Sequence, residues 1–349
     1  MTKESLLSID LTHILEQTNP LWDELRGKRI FITGGTGFFG KWFLESFIWA
    51  NDNLDLNASA LVLTRNCNAF QKKAPRLAAH PAIQFHIGDV RNFIFPEGEF
   101  SHIIHAATSA SAKLNDEDPL LMFDTIVEGT RHTLDFAAQC HARKFLLTSS
   151  GAVYGKQPSD MTHVSDGYCG APDMTRLNSA YGEGKRAAEL LCALYSKKNG
   201  FETKIARCFA FVGPYLSLDI HYAIGNFIRD GLNGGPIRIN GDGTPFRSYL
   251  YAADLAIWLW TILFQGETGR TYNVGSENAF TIAEVAHLVA DTFNRKLPVV
   301  IEKQSGHNKQ SERYIPRTVR ARQELELKQF IGLKESIKKT INWHYVQHI

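Results

Sequence analysis

The sequence predicts an α/β fold: a doubly wound parallel sheet with a smaller C-terminal α/β domain beside it. Three observations carry that expectation. Through roughly the first 200 residues, short β-branched strands alternate with amphipathic helices, which implies parallel pairing with helices on both faces. A glycine-rich turn, "TGGTGFFG", joins the first of these strands to a helix. Beyond about residue 207 the alternation loosens into irregular, glycine-punctuated segments.

Taken in order, residues 1–26 read as a polar, partly helical extension with Leu6, Leu7, Leu11, Ile14 and Leu15 near helical spacing. "KRIFIT" is a strand, followed by the glycine turn and an apolar helix. Strands are expected at 60–64, 83–90 and 102–108, an amphipathic helix at 122–140, and a strand at 143–150. The stretch "NSAYGEGKRAAELL" opens the next helix, with an apolar stripe of Ala187, Ala188, Leu190, Leu191 and Leu194; Tyr181 and Lys185 lie off it. A strand at 203–211 completes a Rossmann-like unit. "GGPIRINGDGTPFRSYLY" (234–251) reads as a hairpin, with helices near 252–265 and 281–294, a polar, basic segment at 302–323 and a last helix near 334–347. The expected division is an N-terminal extension (1–26), a dinucleotide-binding domain (27–206) and a mainly substrate-binding domain (207–349), with 250–265 packing back on the first domain.

Composition narrows the class. Apolar content of 44% and charged content of 21% are ordinary for a soluble globular chain. A net charge of +2 creates no field suited to nucleic acid or an anionic membrane. The five cysteines are scattered and without CxxC spacing, which argues for free thiols in a reducing cytosol and against a disulfide framework or a metal site. The N-terminus lacks the unbroken apolar core of a signal peptide, and the longest apolar run (255–264) is too short to span a bilayer. A soluble, cytoplasmic protein is expected.

The glycine turn carries the first chemistry. Gly34, Gly37 and Gly40 stand at GxxGxxG spacing around Thr36, Phe38 and Phe39. Glycines let backbone N–H groups approach a pyrophosphate at a helix N-terminus, and the strand–turn–helix context is the one a dinucleotide site requires. At the end of the second strand an acid would bond the adenosine ribose, whereas arginine accommodates a 2′-phosphate. Here Thr64 and Arg65 stand, which favours NADP over NAD; the alternative is a surface arginine beside a site that takes NAD. Asp89, with Val90, either accepts from the adenine amino group or caps a turn. Ala106 and Ala107 are small enough to admit the cofactor. Tyr181 and Lys185 meet at i,i+4 on a helix, as a solvated pair or a catalytic one.

The motifs "TGGTGFFG", "GDV", "HAAT", "VEGT", "TSSGAVYG", "SAYGEGK" and "GDGTPFRSYLYAADLA", with the tail from "RYIPRTVRARQELEL" onward, resemble the extended short-chain dehydrogenase/reductase family, in its branch of nucleotide-sugar epimerases, dehydratases and reductases. The likeness runs from residue 29 nearly to the end. It implies an NAD(P)-dependent enzyme, a nucleotide-sugar substrate and a homodimer. It also implies that Tyr181 is the acid/base, Lys185 its electrostatic partner beside the nicotinamide ribose, and Ser150 the hydroxyl on the reacting oxygen, with Ser149 as the adjacent alternative. A nearby ammonium together with the nicotinium charge is expected to draw the phenol down from its usual pKa of about 10. Thr108 and Ser109 are substrate candidates by the same likeness.

Departures from the family pattern select among its reactions. The resemblance places an Asp–Glu pair in dehydratases, and a glutamate in decarboxylases, where this chain has Gly151 and Ala152. The cysteine and histidine of the double epimerases are missing from "AATSAS" and "VGPYLS", and the usual asparagines are Ile126 and Ala210. Arg247 remains as a diphosphate ligand, with Arg313 as a second candidate and a solvated arginine as the alternative for each. Two activities survive: NADPH-dependent reduction of a 4-keto-6-deoxy sugar nucleotide, and 4-epimerisation on tightly bound NAD. Thr64 and Arg65 favour the reductase. A non-catalytic cofactor-binding protein would be expected to lose Tyr181 or Lys185, and both are kept.

Overall fold

The computed structural model describes residues 3–108, 112–219, 222–303 and 311–346. Helix α1 (Lys3–Thr18) and a 3-10 segment (Asn19–Leu25) lead into β1 (Arg29–Thr33), α2 (Phe38–Asn53), β2 (Ser59–Thr64), α3 (Cys67–Lys73), α4 (Pro75–Ala79) and β3 (Ile83–Ile87). The chain then crosses to β4 (His102–His105), α5 (Ala112–Glu117), α6 (Pro119–Gln139), β5 (Lys144–Ser150), α7 (Ala180–Asn199) and β6 (Glu202–Cys208). These strands, joined by β11 (Thr271–Val274), form one parallel sheet in the order β11-β6-β5-β4-β1-β2-β3. The direction of winding reverses between β1 and β4, and a crevice opens there at the strand carboxyl ends.

The strands are shorter than the apolar runs suggested. β3 stops at Ile87, after which Gly88 N still bonds Thr64 O at 3.1 Å and a turn closes from Asp89 to Asn92, and β4 stops at His105, after which Ala106 N still bonds Thr33 O at 3.1 Å. Helix α6 begins earlier than its apolar pattern, at Pro119, since the Asp118 carboxylate accepts from Leu121 N and proline tolerates the first helical position.

The C-terminal half contributes β7 (Phe211–Val212), α8 (Ala223–Leu232), β8 (Ile237–Ile239), β9 (Phe246–Arg247), β10 (Leu250–Tyr251), α9 (Ala252–Gln265), β12 (Phe280–Thr281), α10 (Ile282–Thr292), β13 (Val299–Ile301), β14 (Arg313–Tyr314), α11 (Val319–Leu325) and α12 (Leu333–Tyr345). The hairpin expected at 234–251 does not form. β8 pairs with β13, β9 lies between β12 and β14, and β10 pairs with β7. The Asp242 side chain accepts from Thr244 N and Thr244 Oγ1, so the turn at Gly243 redirects the chain. Each short strand then finds a partner distant in sequence.

Helix α9 is apolar all round because it is buried all round: every residue from Ala252 to Phe264 is inaccessible. It lies against β5 and β6 and is covered by α2 and α1. The described N-terminal segment from Leu6 to Leu25 therefore packs into the core. Leu7, Leu11 and Ile14 form the buried stripe of α1, and Trp22 packs on Trp260 with ring centroids 4.6 Å apart. Buried Asp10 accepts from Tyr251 Oη at 2.6 Å and Lys339 Nζ at 2.9 Å, joining α1 to β10 and α12.

Glu24 fastens the same segment to the amino-terminal ends of two sheet strands. Its carboxylate accepts from Lys144 Nζ at 2.8 Å and pairs with His102 Nε2 at 3.0 Å. Burial raises its pKa, but the contacts to His102 and Lys144 outweigh that and bring it down to about 2 from 4.5. A carboxylate with a depressed folded pKa stabilises above its unfolded pKa and loses that stabilisation as pH falls toward the folded one. Glu24→Gln should therefore be less stable at neutral pH by on the order of 2 kcal/mol. Denaturant melts should show the gap between variant and parent closing between pH 4.5 and about 2. A gap independent of pH would refute the assignment.

Candidate active site

The crevice is built on a close approach of two strand ends. Gly34 has φ +71°, and a Cβ there would lie 2.3 Å from Ala106 O. A Cβ on Gly40 would lie 2.3 Å from Gly34 O, so the first turn of α2 can sit against the glycine turn only with glycine there. Gly35, not singled out from the sequence, faces Val62 Cγ1, 2.6 Å from where its Cβ would be. Phe38 and Phe39 pack against the core, with Phe39 edge-on to Phe211 at 5.1 Å, and Gly37 N closes the turn on Gly34 O at 3.0 Å. The turn at the head of the 16-residue α2 fits a dinucleotide pyrophosphate.

Behind the turn, Thr33 Oγ1 contacts His105 Nδ1 at 2.8 Å and accepts from Ala107 N at 3.2 Å, while His105 Nε2 meets Thr130 Oγ1 at 3.1 Å. Burial, with the nearby Lys185 charge, brings the His105 pKa down to about 3, so the ring is a neutral structural link. Val90 is buried against Gly129, whose Cβ would lie 2.9 Å from Val90 Cγ1.

At the adenosine end, Thr64 Oγ1 accepts from Asn66 N at 3.2 Å and Arg65 is exposed. The Asp89 carboxylate caps its own turn through Arg91 N at 3.0 Å and pairs with Arg91 Nε at 2.9 Å, in line with the capping alternative. Its pKa is lowered first by the Arg91 side chain, and the Arg65 charge adds to this.

The candidate reacting groups converge at the end of β5. Ser150 ends the strand, and its Oγ accepts from Ala152 N at 3.2 Å. Ser149 points the other way, donating to Glu189 Oε1 at 2.5 Å; Glu189 also binds Arg207 Nη2 at 2.6 Å. Strand alternation thus separates the two adjacent hydroxyls. Lys185 is 2% exposed, and its Nζ donates to Thr148 O at 2.7 Å and Thr108 Oγ1 at 2.8 Å. Thr108 accordingly holds the lysine. Ser109 lies outside the described residues.

Helix α7 presents a face unlike its apolar pattern. Gly184, Lys185, Ala188, Leu191 and Cys192 are buried, whereas Leu190 and Leu194 are exposed. Gly182 and Gly184 let the helix pass closely: a Cβ on Gly182 would lie 2.9 Å from Ala152 O, and one on Gly184 3.2 Å from Ile126 Cδ1. Asn115, missed in the sequence, fastens its start by accepting from Tyr181 N at 3.1 Å and donating to Asn178 O at 2.7 Å. Burial raises the Tyr181 pKa well above the usual phenol value, against the lowering effect of the Ser150 hydroxyl. The cause is desolvation, which also lowers Lys185 to about 8 and weakens the ammonium as a source of positive charge.

The expected diphosphate ligands diverge. Arg247 Nη1 donates to Phe246 O at 2.8 Å and Nη2 lies 3.9 Å from Glu312 Oε2. Arg313 stacks its guanidinium over Phe246, 4.1 Å from the ring centroid. β14 runs parallel to β9 with Arg313 opposite Phe246 and Tyr314 opposite Arg247. By alternation Arg313 projects to the face opposite Arg247. Its neighbour Tyr314, not selected from the sequence, is the one that reaches Ser150, with oxygens 3.5 Å apart.

Among the described residues no group of three or more His, Cys, Asp and Glu is placed to hold a metal, and no helix is long and apolar enough to cross a membrane. All five cysteines are free thiols.

The fold and its glycine turn define a Rossmann-type dinucleotide-binding protein, with a serine, a tyrosine and a buried lysine gathered at the strand ends. A family profile described as NAD dependent epimerase/dehydratase family matches residues 30–275, and the chain belongs to that family of NAD-dependent enzymes. It is 30% identical over 264 residues to UDP-glucuronic acid decarboxylase 6 of Arabidopsis thaliana, covering 75% of this chain and 74% of that one. It is 26% identical over 317 residues to UDP-glucuronic acid decarboxylase 1 of Danio rerio, covering 90% and 72%. Among solved structures, the fold is shared with dTDP-glucose 4,6-dehydratase from Streptomyces venezuelae, determined with NAD bound (TM-score 0.76, 23% identity, 91% and 97% of the two chains). It is shared also with UDP-N-acetylglucosamine 4-epimerase from Methanobrevibacter ruminantium (TM-score 0.78, 18% identity, 92% and 99%).

The two serines give a direct check. Ser150→Ala should lower kcat by about a hundredfold, as loss of a donor at a developing oxyanion does. Ser149→Ala should instead lower stability by about 1–3 kcal/mol, through the buried Glu189 it leaves short of a donor, and keep most of its turnover. Equal losses of kcat would put both hydroxyls at the reacting oxygen.

Proposed function

We propose that the protein reduces a 4-keto-6-deoxy sugar nucleotide to the 4-hydroxy sugar nucleotide with NADPH. The observation that carries this reading is that neither of the two positions following Ser150 is a carboxylate. Position 151 is glycine, and the space its side chain would take holds Phe209 and the Tyr314 hydroxyl, each 2.7 Å from a Cβ built there. Position 152 is alanine. Dehydration and decarboxylation in this family draw on a carboxylate at these positions, as the resemblance implies, so the match to named decarboxylases supports the substrate class but not their reaction.

The nicotinamide supplies the hydride when bound. Gly34, Gly37, Gly40 and the first turn of α2 would hold the pyrophosphate, and Thr64 with Arg65 would meet the adenosine ribose and its 2′-phosphate. Lys185, fixed by Thr108 and Thr148, would face the nicotinamide ribose. Ser150 and Tyr181 orient the substrate carbonyl oxygen by hydrogen bonds. Tyr181, kept protonated by burial, donates its proton to that oxygen as the alcohol forms. Arg247 offers a guanidinium to the diphosphate. Leu190 and Leu194, 61% and 54% exposed one turn apart on α7, offer the face on which a second copy would dock.

The reaction is tested by incubating the protein with NADPH and a 4-keto-6-deoxy sugar nucleotide. Stoichiometric cofactor oxidation and a 4-hydroxy product are expected, with no dehydration of the parent hexose nucleotide and no carbon dioxide from UDP-glucuronic acid. Interconversion of two 4-hydroxy sugar nucleotides without net cofactor change would replace the reductase with an epimerase.

Arg65→Ala should weaken NADPH binding by about tenfold or more while changing NADH little, because only NADPH carries the phosphate that a guanidinium pairs with. Fluorescence titration with both cofactors reads this directly. Equal effects would return the preference to NAD.

A further inference from the structure

We propose that Tyr314 is a positioning residue of the reaction centre: its phenol donates to Ser150 Oγ and turns the Ser150 proton toward the reacting oxygen of the substrate. This rests on reading Ser150 and Tyr181 as the groups that face that oxygen, and not on which sugar is bound or which way the reaction runs.

Gly151 is what admits the phenol. Its backbone is not in the left-handed region, so conformation alone does not call for glycine there. Space does: a Cβ would lie 2.7 Å from Tyr314 Oη and 2.7 Å from Phe209 Cζ. A side chain at 151 would therefore have to displace the Tyr314 phenol or the Phe209 ring.

The phenol is held from several sides. Its ring packs on Phe209 with centroids 4.7 Å apart. The next residue is pinned by Ile315 N to Gln157 Oε1 at 3.1 Å and by Val164 N to Ile315 O at 2.9 Å. The preceding pairing sets Tyr314 opposite Arg247, so one strand pair carries both the candidate diphosphate ligand and this hydroxyl.

A serine hydroxyl has two lone pairs and one proton. Ala152 N occupies one lone pair of Ser150. A donor at the second turns the proton to the remaining side, where Tyr181 and the ligand oxygen would lie. Burial keeps Tyr314 protonated and hence able to donate. The 3.5 Å separation is long for two hydroxyls, as such contacts commonly are before substrate draws them together.

Two measurements decide the matter. With tyrosine labelled at the ζ carbon, NMR resonances of Tyr314 and Tyr181 are assigned from Tyr314→Phe and Tyr181→Phe. Ser150→Ala should then shift the Tyr314 resonance, and no shift would overturn the contact without any substrate being known. For turnover, Tyr314→Phe keeps the ring and removes only the hydroxyl. It should lower kcat about tenfold with KM nearly unchanged, less than the hundredfold or more of losing a direct donor. In a Ser150→Ala background the same change should cost less than about twofold, since its route is gone. Additive losses would mean Tyr314 acts merely on packing and would overturn the proposal. If no sugar nucleotide turns over, the reaction assigned above falls, and the NMR shift still decides for or against Tyr314.

Discussion

A buried ammonium constrains the architecture around it. Taking a charge out of water costs several kcal/mol unless it is well solvated by the protein. Lys185 meets that cost through two uncharged acceptors, the Thr148 carbonyl and the Thr108 hydroxyl. Reaching both requires α7 to lie close over the ends of β5 and β4. Gly182 and Gly184 remove the side chains that would otherwise strike Ala152 O and Ile126. The same approach sets Tyr181 beside Ser150. One turn further along α7, Glu189, paired with Arg207, accepts from Ser149 and turns it away from Ser150. Position of the helix, orientation of the serines and placement of the phenol follow from housing one cation.

The second constraint comes from the C-terminal half. Gly151 leaves a space that Tyr314 and Phe209 fill, so the chemistry at the strand end is phenolic rather than acidic. Phenols that burial keeps protonated suit delivery of a proton to oxygen. They are poorly suited to pulling a proton from carbon at neutral pH. Family membership alone does not separate these chemistries; the proposed reading rests on the side chains around Ser150.

Much of this was legible in the sequence where one residue type answers a local need. The glycines of "TGGTGFFG" are required by a positive φ at Gly34 and by backbone contact at Gly40, and such needs leave a readable spacing. Ser150, Tyr181 and Lys185 were readable through the family resemblance, whose motifs there are short and local, a strand end and a helix start. Tyr314 was not, since it reaches Ser150 only through pairing of β14 with β9, and two-residue strands carry no periodicity. The false hairpin at 234–251 has the same origin, in that each strand there pairs with a distant segment. On α7 the leucines misled: Leu190 and Leu194 face outward while a lysine and glycines face in, the reverse of the usual amphipathic rule. The leucine spacing of α1 was visible, but nothing in it told that the buried helix α9 was its partner.

The central claim is that this site adds hydride and one proton across a carbonyl and removes no proton from carbon. Reduction of the 4-keto-6-deoxy sugar nucleotide by NADPH in deuterium oxide tests it most directly, with the product read by proton and deuterium NMR. The account predicts hydrogen from the cofactor at C4 and no solvent deuterium on any carbon. Deuterium at C5 would contradict it, because a base able to ionise that carbon would then be at work beside Ser150.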